Sequence, residues 1–303
     1  MQAKKFAIIN GDDFGFSSGV NQAIIKAHEQ GVLTSTSLMV TADAAAEAVA
    51  LACTHPNLAV GLHLVLVCGR AALPPEQIPL LVDKQGNFAN NPYWAGWRYQ
   101  FVKETRDQLR REIRAQLEKF RSTGLPLSHV DGHLHMHLHP VVLSILTDLA
   151  AEFNIKIIRL PHEELTLNLK FNHRGMLTKF IRWAVFRGLY LQGKSLLQSR
   201  GIGFAQRVYG LLQTGEIEEE YLLDLIPQIP ADLVEIYCHP AIAIANEPQN
   251  GPAKAGEAEL KALLSARVRQ ALTASGFELT NYRFLLEGNI ICSSLRRCGS
   301  SFS

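Results

Sequence analysis

The chain contains 303 residues, with 30 Lys and Arg against 28 Asp and Glu, and it carries a formal net charge of +2. This near balance gives no reason to expect a nucleic-acid partner, and the 47% hydrophobic content excludes an intrinsically disordered chain. The five cysteines have no CxxC spacing, which favours a reducing compartment over a disulfide scaffold. Because the sequence contains neither a signal-peptide pattern nor a run of about 18 apolar residues, we expect a cytoplasmic protein.

Short apolar runs alternate with longer helical patterns along the chain. Strands are predicted at 5–10, 34–40, 57–65, 126–131, 155–160, 232–238 and 277–281. Helices are predicted at 17–30, 42–53, 94–122, 140–153, 216–226 and 257–275, with loops at 68–92 and 240–256 and a less regular segment at 161–216. This alternation predicts an α/β fold with a parallel sheet, either doubly wound or closed into a barrel.

Polar side chains stand where four of the predicted strands end. They are Asp12 and Asp13 after the first strand, His63 near the end of the third, Asp131 and His133 at the end of the fourth, and His239 after the sixth. Barrel enzymes place their active sites at the carboxyl ends of the strands. Since no GxGxxG follows the first strand, we predict a (β/α) barrel, TIM-like with about seven strands, and not a dinucleotide-binding fold.

Three of these residues have the ligand types of a catalytic metal site, which commonly has three His or Asp/Glu ligands and one position open for water. Asp13, His63 and His133 supply such a set. Asp12 could then accept a proton from the water, and His239 could donate one to the leaving group. Adjacent residues of an extended strand point apart, so both aspartates reach one site only if the chain turns within 11–15. A helix-capping loop at 12–15 and a core position for His63 are equally open alternatives.

Four histidines alternate between positions 133 and 139, namely His133, His135, His137 and His139. As a cluster they favour metal binding. One metal ion cannot use all four, and we expect the chain to turn after a strand that ends near Asp131. One or two of the histidines would then enter the site, and for each of the last three alone we favour a structural position.

Arg159 ends the predicted strand 155–160, directly before Leu160 and Pro161. Its guanidinium could orient Asp12 or bind an oxygen of a substrate. A surface ion pair is an equally open alternative for this side chain.

Residues 174–197 combine apolar residues at helical spacing with five basic residues and no acid. A basic amphipathic helix that carries a tryptophan, here Trp183, can lie on an anionic membrane surface. The alternative, which the sequence slightly favours, is that the apolar stripe packs on the barrel while the basic residues face solvent.

Six motifs in this chain resemble those of the YdjC-like family of carbohydrate deacetylases, in the order in which that family has them. The resemblance covers residues 4–284 and rests on NGDDFG (10–15), GVLTSTSLMV (31–40), VGLHLVL (60–66), HVDGHLHMH (129–137), IRLP (158–161) and YCHP (237–240). It implies a (β/α) barrel of about seven strands and the hydrolysis of an N-acetyl group from an amino sugar, with release of acetate. One domain at 1–284, with an insert at about 161–216, is expected to precede a loosely ordered tail at 285–303.

The same resemblance assigns roles to individual residues. It implies Asp12 as the general base and His239 as the general acid. The implied metal ligands are Asp13, His63 and His133, and Arg159 and His135 are predicted to bind substrate. The cofactor is one divalent ion, Mg²⁺ or Zn²⁺, and two imidazoles with a carboxylate also suit Co²⁺, Ni²⁺ or Mn²⁺.

Residues 161–216 depart from the shorter members of the family and resemble its branch linked to hopanoid biosynthesis. That resemblance implies an N-acetylglucosamine linked to a hopanoid lipid as substrate. The stretch at 174–197 would then deliver a membrane-held sugar to the barrel rim, as a peripheral contact at the inner membrane face. The sequence leaves the oligomeric state open, with a homodimer as one alternative.

Two other functions compete with the deacetylase. One is a different barrel metal hydrolase, of the amidohydrolase or phosphoesterase type, in which His133 and His135 are both ligands. The other is a non-catalytic protein that binds lipid or metal through the histidine run. This last reading leaves Asp12 and His239 without a role.

Overall fold

Seven parallel strands form one sheet in the computed structural model, which describes residues 4–171, 175–248, 250–252 and 254–286. The strands are β1 (Lys5–Phe14), β2 (Ser35–Leu38), β3 (Ala59–Leu64), β4 (Val130–Gly132), β5 (Arg207–Tyr209), β6 (Leu233–Cys238) and β7 (Phe277–Thr280). Nearly all of their residues are buried, because a parallel sheet covered by helices shields both faces from water. The predicted α/β class and parallel sheet are confirmed.

Eleven α-helices are present in the described part of the chain. They are α1 (Ser18–Gln30), α2 (Ala45–Thr54), α3 (Pro92–Phe101), α4 (Thr105–Ser122), α5 (Pro140–Phe153), α6 (Leu165–Phe171), α7 (Met176–Ser199), α8 (Glu219–Leu225), α9 (Ala255–Leu264), α10 (Ala266–Ala274) and α11 (Tyr282–Leu286). The hydroxyl of Ser17 caps α1 by accepting a hydrogen bond from the Val20 amide, as predicted from the sequence. Among the described residues, no helix is long and apolar enough to cross a membrane.

The strand order is β4-β3-β2-β1-β6-β5, with β7 as an additional partner of β1. Strand β6 occupies one edge of β1 along Phe6–Gly11. Strand β7 pairs with Lys5–Ile8 of β1, and because β6 already occupies the first edge there, β7 lies on the other edge of β1. Strand β2 uses that same edge from Asn10 onward. The first strand therefore has three neighbours and stands at the centre of the sheet.

The sheet is curled, and segment 155–160 lies between its two outermost strands, β4 and β5. The Val130 amide donates to the Ile157 carbonyl at 3.0 Å, and the Ile158 amide donates to the Gly203 carbonyl at 3.1 Å. The prediction of a regular strand at 155–160 is wrong, because these residues form only isolated bridges to each side. A closed TIM-like barrel stays a prediction.

Strand β5 was not predicted, and it lies in the segment 161–216 that the sequence analysis treats as an insert. It pairs with β6, so this part of the segment belongs to the main sheet. The remainder of the described segment consists mainly of α6 and the 24-residue helix α7. The boundaries of the insert stay a prediction.

Two long predicted helices are each divided in two. The segment 94–122 is interrupted at Val102, whose backbone is extended between α3 and α4. The segment 257–275 is interrupted at Ser265, whose hydroxyl accepts hydrogen bonds from the Arg267 and Val268 amides and so begins α10.

The loosely ordered tail at 285–303 stays a prediction, although its first two residues belong to helix α11. Helix α11 continues to Leu286, and Leu285 is buried in a cluster with Ile8 and Leu233, so these residues are held by packing. The rest of the tail, from residue 287, lies outside the described residues, as do Cys292 and Cys298. The described cysteines, Cys53, Cys68 and Cys238, form no disulfide with one another.

Candidate active site

The end of β1 carries the two adjacent aspartates, and the strand is irregular there. Asp13 has φ = +63°, in the left-handed region, and the register with β2 shifts between Gly11 and Phe14. A carboxylate side chain tolerates this conformation better than most. The predicted turn within 11–15 is therefore present, although β1 extends to Phe14 and includes both aspartates. Both carboxylates are buried in the same region of the molecule.

Asp13, His63 and His133 come together from three different strand ends. Oδ1 of Asp13 lies 3.1 Å from Nε2 of His63 and 2.9 Å from Nδ1 of His133. Neighbouring ligands with bonds of about 2.1 Å to one ion stand about 3 Å apart, so this donor set fits a divalent ion. One carboxylate and two imidazoles also leave coordination positions for water or substrate.

Ionic contacts explain the charges within this group. Burial opposes ionisation of Asp13, but His133 and His63 hold the pKa of its carboxyl well below the usual range. Burial also lowers the pKa of His63, but Asp131 and Asp13 hold it well above its usual value. The site is thus built around anionic carboxylates that compensate positive charge.

Asp131 orients His63 from behind. Nδ1 of His63 donates to Oδ1 of Asp131 at 2.8 Å, which leaves Nε2 directed toward Asp13. Oδ2 of Asp131 accepts a hydrogen bond from the Ser37 hydroxyl at 2.6 Å and forms an ion pair with the Arg159 guanidinium at 2.8 Å. Such a carboxylate behind a histidine fixes its tautomer for metal binding. Asp12, His63 and Asp131 form a second cluster with ligand-like spacing, but the contacts to Ser37 and Arg159 already occupy Asp131.

Asp12 is held by a bidentate contact with Arg159. NH1 and NH2 of the guanidinium donate to the two carboxylate oxygens, both at 2.7 Å, and Asn10 donates to Oδ1 at 2.7 Å. Arg159 is completely buried and does not line the cavity described below, and its predicted contact with substrate stays a prediction. Its guanidinium contacts both carboxylate oxygens of Asp12, which is the geometry expected from the alternative that Arg159 orients Asp12.

His239 follows β6 and faces Asp12. Its Nε2 lies 4.0 Å from Oδ2 of Asp12, and its backbone amide donates to Oε2 of Glu259 at 2.5 Å. The imidazole is partly exposed toward the cavity, where it can reach a bound molecule. Its placement agrees with the predicted position of a proton donor, and the role itself stays a prediction.

The other three histidines of the run do not join the three candidate ligands. Leu134 and His135 both have left-handed backbone angles, with φ = +49° and +56°, so the chain turns away from the strand directly after His133. His135 hydrogen-bonds through Nε2 with the Tyr237 hydroxyl at 2.9 Å, and burial holds its pKa well below its usual value. His137 donates through Nε2 to the Arg159 carbonyl at 3.0 Å, and burial lowers its pKa to about 4. His135 does line the cavity, so its predicted contact with substrate stays open.

A cavity of about 500 Å³ opens over the candidate ligands. Its floor is polar, with Asp12, His63, His133, His135, Tyr237 and His239. Its walls are apolar and come mainly from α3 and α7, with Pro92, Tyr93, Trp97, Val185, Phe186 and Leu189. His139 also lines this space and stacks edge-on against Tyr99.

Several site residues were missed by the sequence analysis. Glu235, in the middle of β6, contacts the Arg159 guanidinium at 2.7 and 2.8 Å. Tyr237 supports the same guanidinium with its ring face, 4.7 Å from the ring centre. Asn250 donates to Oδ2 of Asp13 at 2.9 Å from the loop after β6. The signal for Glu235 was present, because an acid within a continuous apolar strand requires a buried partner.

Comparisons with known proteins show the family to which the chain belongs. The sequence model of the family described as YdjC-like protein matches residues 6–274. A carbohydrate deacetylase of Vibrio cholerae serotype O1 (strain ATCC 39541) is 34% identical over 283 residues, which span 92% of this chain and 96% of that relative. Carbohydrate deacetylases of Brevibacillus brevis and Geobacillus stearothermophilus are both 41% identical over about half of this chain, which there spans 57% and 59% of their lengths.

A solved structure supports the same relationship. The crystal structure of a proposed cellobiose-phosphate cleavage protein from Enterococcus faecalis V583 superposes with a TM-score of 0.71 at 28% identity, covering 93% of this chain and 99% of that one. The match of the family model covers most of the chain, and the Vibrio cholerae relative aligns over nearly its whole length. The predicted resemblance to the YdjC-like family is confirmed, and the chain belongs to that family.

Proposed function

We propose that this chain removes the N-acetyl group of an amino sugar of the N-acetylglucosamine type by hydrolysis and releases acetate. The observation that carries the proposal is the convergence of Asp13, His63 and His133 beside Asp12 and His239 in one cavity. The curated relatives named above, which are carbohydrate deacetylases, support the same reaction.

In the proposed reaction one divalent ion is held by Asp13, His63 and His133. When bound, such an ion polarises an amide carbonyl and lowers the pKa of a bound water. Asp12 accepts the proton of the attacking water, and Arg159 keeps its carboxylate in one orientation. His239 donates a proton to the leaving nitrogen, so that the carbon–nitrogen bond breaks with release of a free amine and acetate. The donor set suits Zn²⁺ well, and Mg²⁺ is the other candidate.

Acetate release from an N-acetylglucosamine-containing substrate tests this proposal. We expect activity in the metal-loaded wild type and its loss after chelation. Asp12→Ala should lower kcat by about 10²–10⁴-fold while its metal content stays at the wild-type level, because Asp12 lies outside the proposed ligand set. Asp107→Ala, an exposed aspartate on α4, is the control and should keep full activity. Full activity in metal-loaded Asp12→Ala would refute the mechanism.

The proposal extends to a substrate linked to a lipid, with a hopanoid as the tail that the resemblance of segment 161–216 implies. Supporting it, the amino-terminal half of α7 leaves most of its apolar side chains exposed, with Phe186 packed against the core as an exception. Met176, Leu177, Phe180, Ile181 and Val185 are each more than half exposed. The buried residues of α7 lie in its other half, so the alternative that the whole apolar stripe packs on the barrel is wrong for the amino-terminal half.

The basic residues of α7 contrast with these apolar ones, because several turn toward the protein. Lys179 donates to the side chain of Gln213, Arg182 to the Leu211 carbonyl, and Arg187 contacts His162. A lipid contact would therefore rest mainly on apolar side chains and less on charge than the sequence predicts. The proposed location is cytoplasmic and peripheral at the inner membrane face, with Val185 and Arg182 connecting the contact to the cavity.

Co-sedimentation with phospholipid vesicles, neutral or anionic, tests the membrane contact. The double variant Leu177→Ser/Ile181→Ser should lose most of the wild-type pelleting. Leu191→Ser, which is equally exposed but lies on the other half of α7, is the matched control and should pellet like wild type. Equal pelleting of all three proteins, or none in wild type, would refute the contact without affecting the deacetylase proposal.

A further inference from the structure

Helix α11 closes the end of the curled sheet opposite to the candidate active site. Its Tyr282 and Leu285 pack into a separate apolar cluster that includes Ile8 of β1 and Leu233 at the beginning of β6. Arg283 fixes the helix to the segment before β3 by donating to the Pro56 and Leu58 carbonyls. Tyr282 is thereby directed from the opposite end into the interior of the sheet.

The Tyr282 side chain is fully buried and reaches the middle of β6. Its hydroxyl donates a hydrogen bond to Oε2 of Glu235, and its ring stacks on His129 with the ring centres 4.0 Å apart. The hydroxyl is the polar end of a side chain that otherwise packs among apolar residues, and Glu235 accepts its hydrogen bond. A buried phenol of this kind needs such a partner, because an unpaired hydroxyl in the interior is costly.

Glu235 uses its other oxygen to hold Arg159. Oε1 accepts a hydrogen bond from Nε at 2.8 Å and forms an ion pair with NH2 at 2.7 Å. The edge of the same guanidinium that carries NH1 and NH2 makes the bidentate contact with Asp12. A planar guanidinium has its donors in a fixed fork, so a carboxylate that fixes one edge also fixes the direction of the other.

The position of the Arg159 guanidinium depends on each of the carboxylates around it. One guanidinium faces three buried carboxylates, those of Asp12, Asp131 and Glu235. Burial raises the pKa of Glu235, and the hydrogen bonds from Arg159 and Tyr282 act against that rise. Loss of the Tyr282 hydroxyl would therefore weaken the hold of Glu235 on Arg159.

We infer that Glu235 and Tyr282 are positioning residues that fix the Arg159–Asp12 pair from the closed end of the sheet. This inference rests on the proposed function, in which Asp12 is the base. The chain of contacts runs from the Tyr282 hydroxyl through the Glu235 carboxylate and the Arg159 guanidinium to the Asp12 carboxylate. Neither Glu235 nor Tyr282 lines the cavity or contacts a proposed metal ligand.

The test compares metal-loaded full-length wild type with Tyr282→Phe, Glu235→Gln and Tyr209→Phe. Tyr209 is the matched control, because its buried hydroxyl also donates to a carboxylate, that of Glu164, but has no connection to Asp12. We expect kcat to fall about tenfold in Tyr282→Phe and about 100-fold in Glu235→Gln, with KM within twofold of wild type. Metal affinity should be unchanged, and Tyr209→Phe should keep the wild-type kcat.

Crystal structures of the two positioning variants supply a readout that does not depend on turnover. We expect the Arg159–Asp12 contact to be displaced or to lose its bidentate geometry. If both variants keep the two 2.7 Å contacts, or if kcat falls no further than in Tyr209→Phe, the positioning role is refuted. An inactive wild type would refute the proposed function alone, and the crystal structures would still decide the positioning role.

Discussion

Nδ1 of His63 lies 2.8 Å from Oδ1 of Asp131, and this contact determines which imidazole nitrogen is free for a metal ion. The carboxylate accepts the hydrogen bond from Nδ1–H, so Nε2, which faces Asp13, is the nitrogen whose lone pair would bind the ion once its own proton is lost. The geometry of the candidate site thus depends on a residue that is not itself one of the three proposed ligands.

Asp131→Asn should therefore weaken metal binding by about 10–100-fold, because the neutral amide supports the required tautomer less well. Titration of the metal-free protein with Zn²⁺, followed by calorimetry, measures this effect. Ser37→Ala is the matched control, since it removes another hydrogen bond to Asp131 without changing the contact to His63. Wild-type affinity in Asp131→Asn would show that the carboxylate does not orient the ligand.

Substitution of His133 and of His135 is expected to have different effects on metal binding. His133→Ala should lose most of the bound metal, because Nδ1 of His133 lies 2.9 Å from the proposed ligand oxygen of Asp13. His135→Ala should keep the metal, because Nε2 of His135 is engaged with the Tyr237 hydroxyl. Elemental analysis of the purified variants distinguishes the two. Loss of metal in His135→Ala would favour the alternative hydrolase in which both histidines are ligands.

Removal of the buried guanidinium should destabilise the fold strongly. Arg159→Ala leaves three buried carboxylates without their common partner, and we expect the free energy of unfolding to fall by about 3–5 kcal/mol. Urea denaturation measures the difference. Arg200→Ala, which breaks a solvent-exposed ion pair with Asp148, is the control and should cost about 0–1 kcal/mol. If both variants lost the same free energy of unfolding, burial of the Arg159 ion pairs would not explain the destabilisation.

Glu163 makes stability depend on pH. Burial raises the pKa of its carboxyl to about 7, although Asn168 and the Leu212 amide donate hydrogen bonds to it. The folded state therefore binds this proton more tightly than the unfolded chain, so the stabilising contribution is complete below about pH 4.5 and is lost as the pH rises through about 7.

Glu163→Gln should remove this dependence and make the protein more stable than wild type at pH 8, by up to about 3 kcal/mol, but not at pH 5. Oδ1 of Asn168 has no hydrogen-bond partner among the described residues, so a flip of its amide can accept from the new side chain. Thermal unfolding at both pH values measures the effect, with the exposed Glu118→Gln as control. A difference that is the same at both pH values would contradict this assignment.

The candidate ligands could be predicted because buried parallel strands leave continuous apolar runs in the sequence. Polar residues at the ends of such runs meet at one edge of the sheet, and this brought Asp13, His63 and His133 together from distant positions. The backbone at the end of β1 is irregular, and Asp13 lies in the left-handed region. The sequence predicted a turn there only because both aspartates had to reach one site.

The contacts behind the site could not be predicted in the same way. Glu235 is separated from Arg159 by 76 positions and from Tyr282 by 47, and no local pattern connects them. The short strand β5 has only three residues, too few for a periodicity. The segment 155–160 has a strand-like composition, but it forms only an isolated bridge on each side, and these bridges do not extend into a ladder.

The pairing of β7 with β1 has a consequence for folding and solubility. Lys5 pairs with Phe277, so on this edge the beginning of β1 can pair with β7 only after nearly the whole described chain has been synthesised. Contacts of such large sequence separation are slow to form because they close a long loop. Until then β1 presents an open edge over Lys5–Ile8, and open strand edges are where separate chains pair. Aggregation of nascent or shortened chains is expected to begin at this edge.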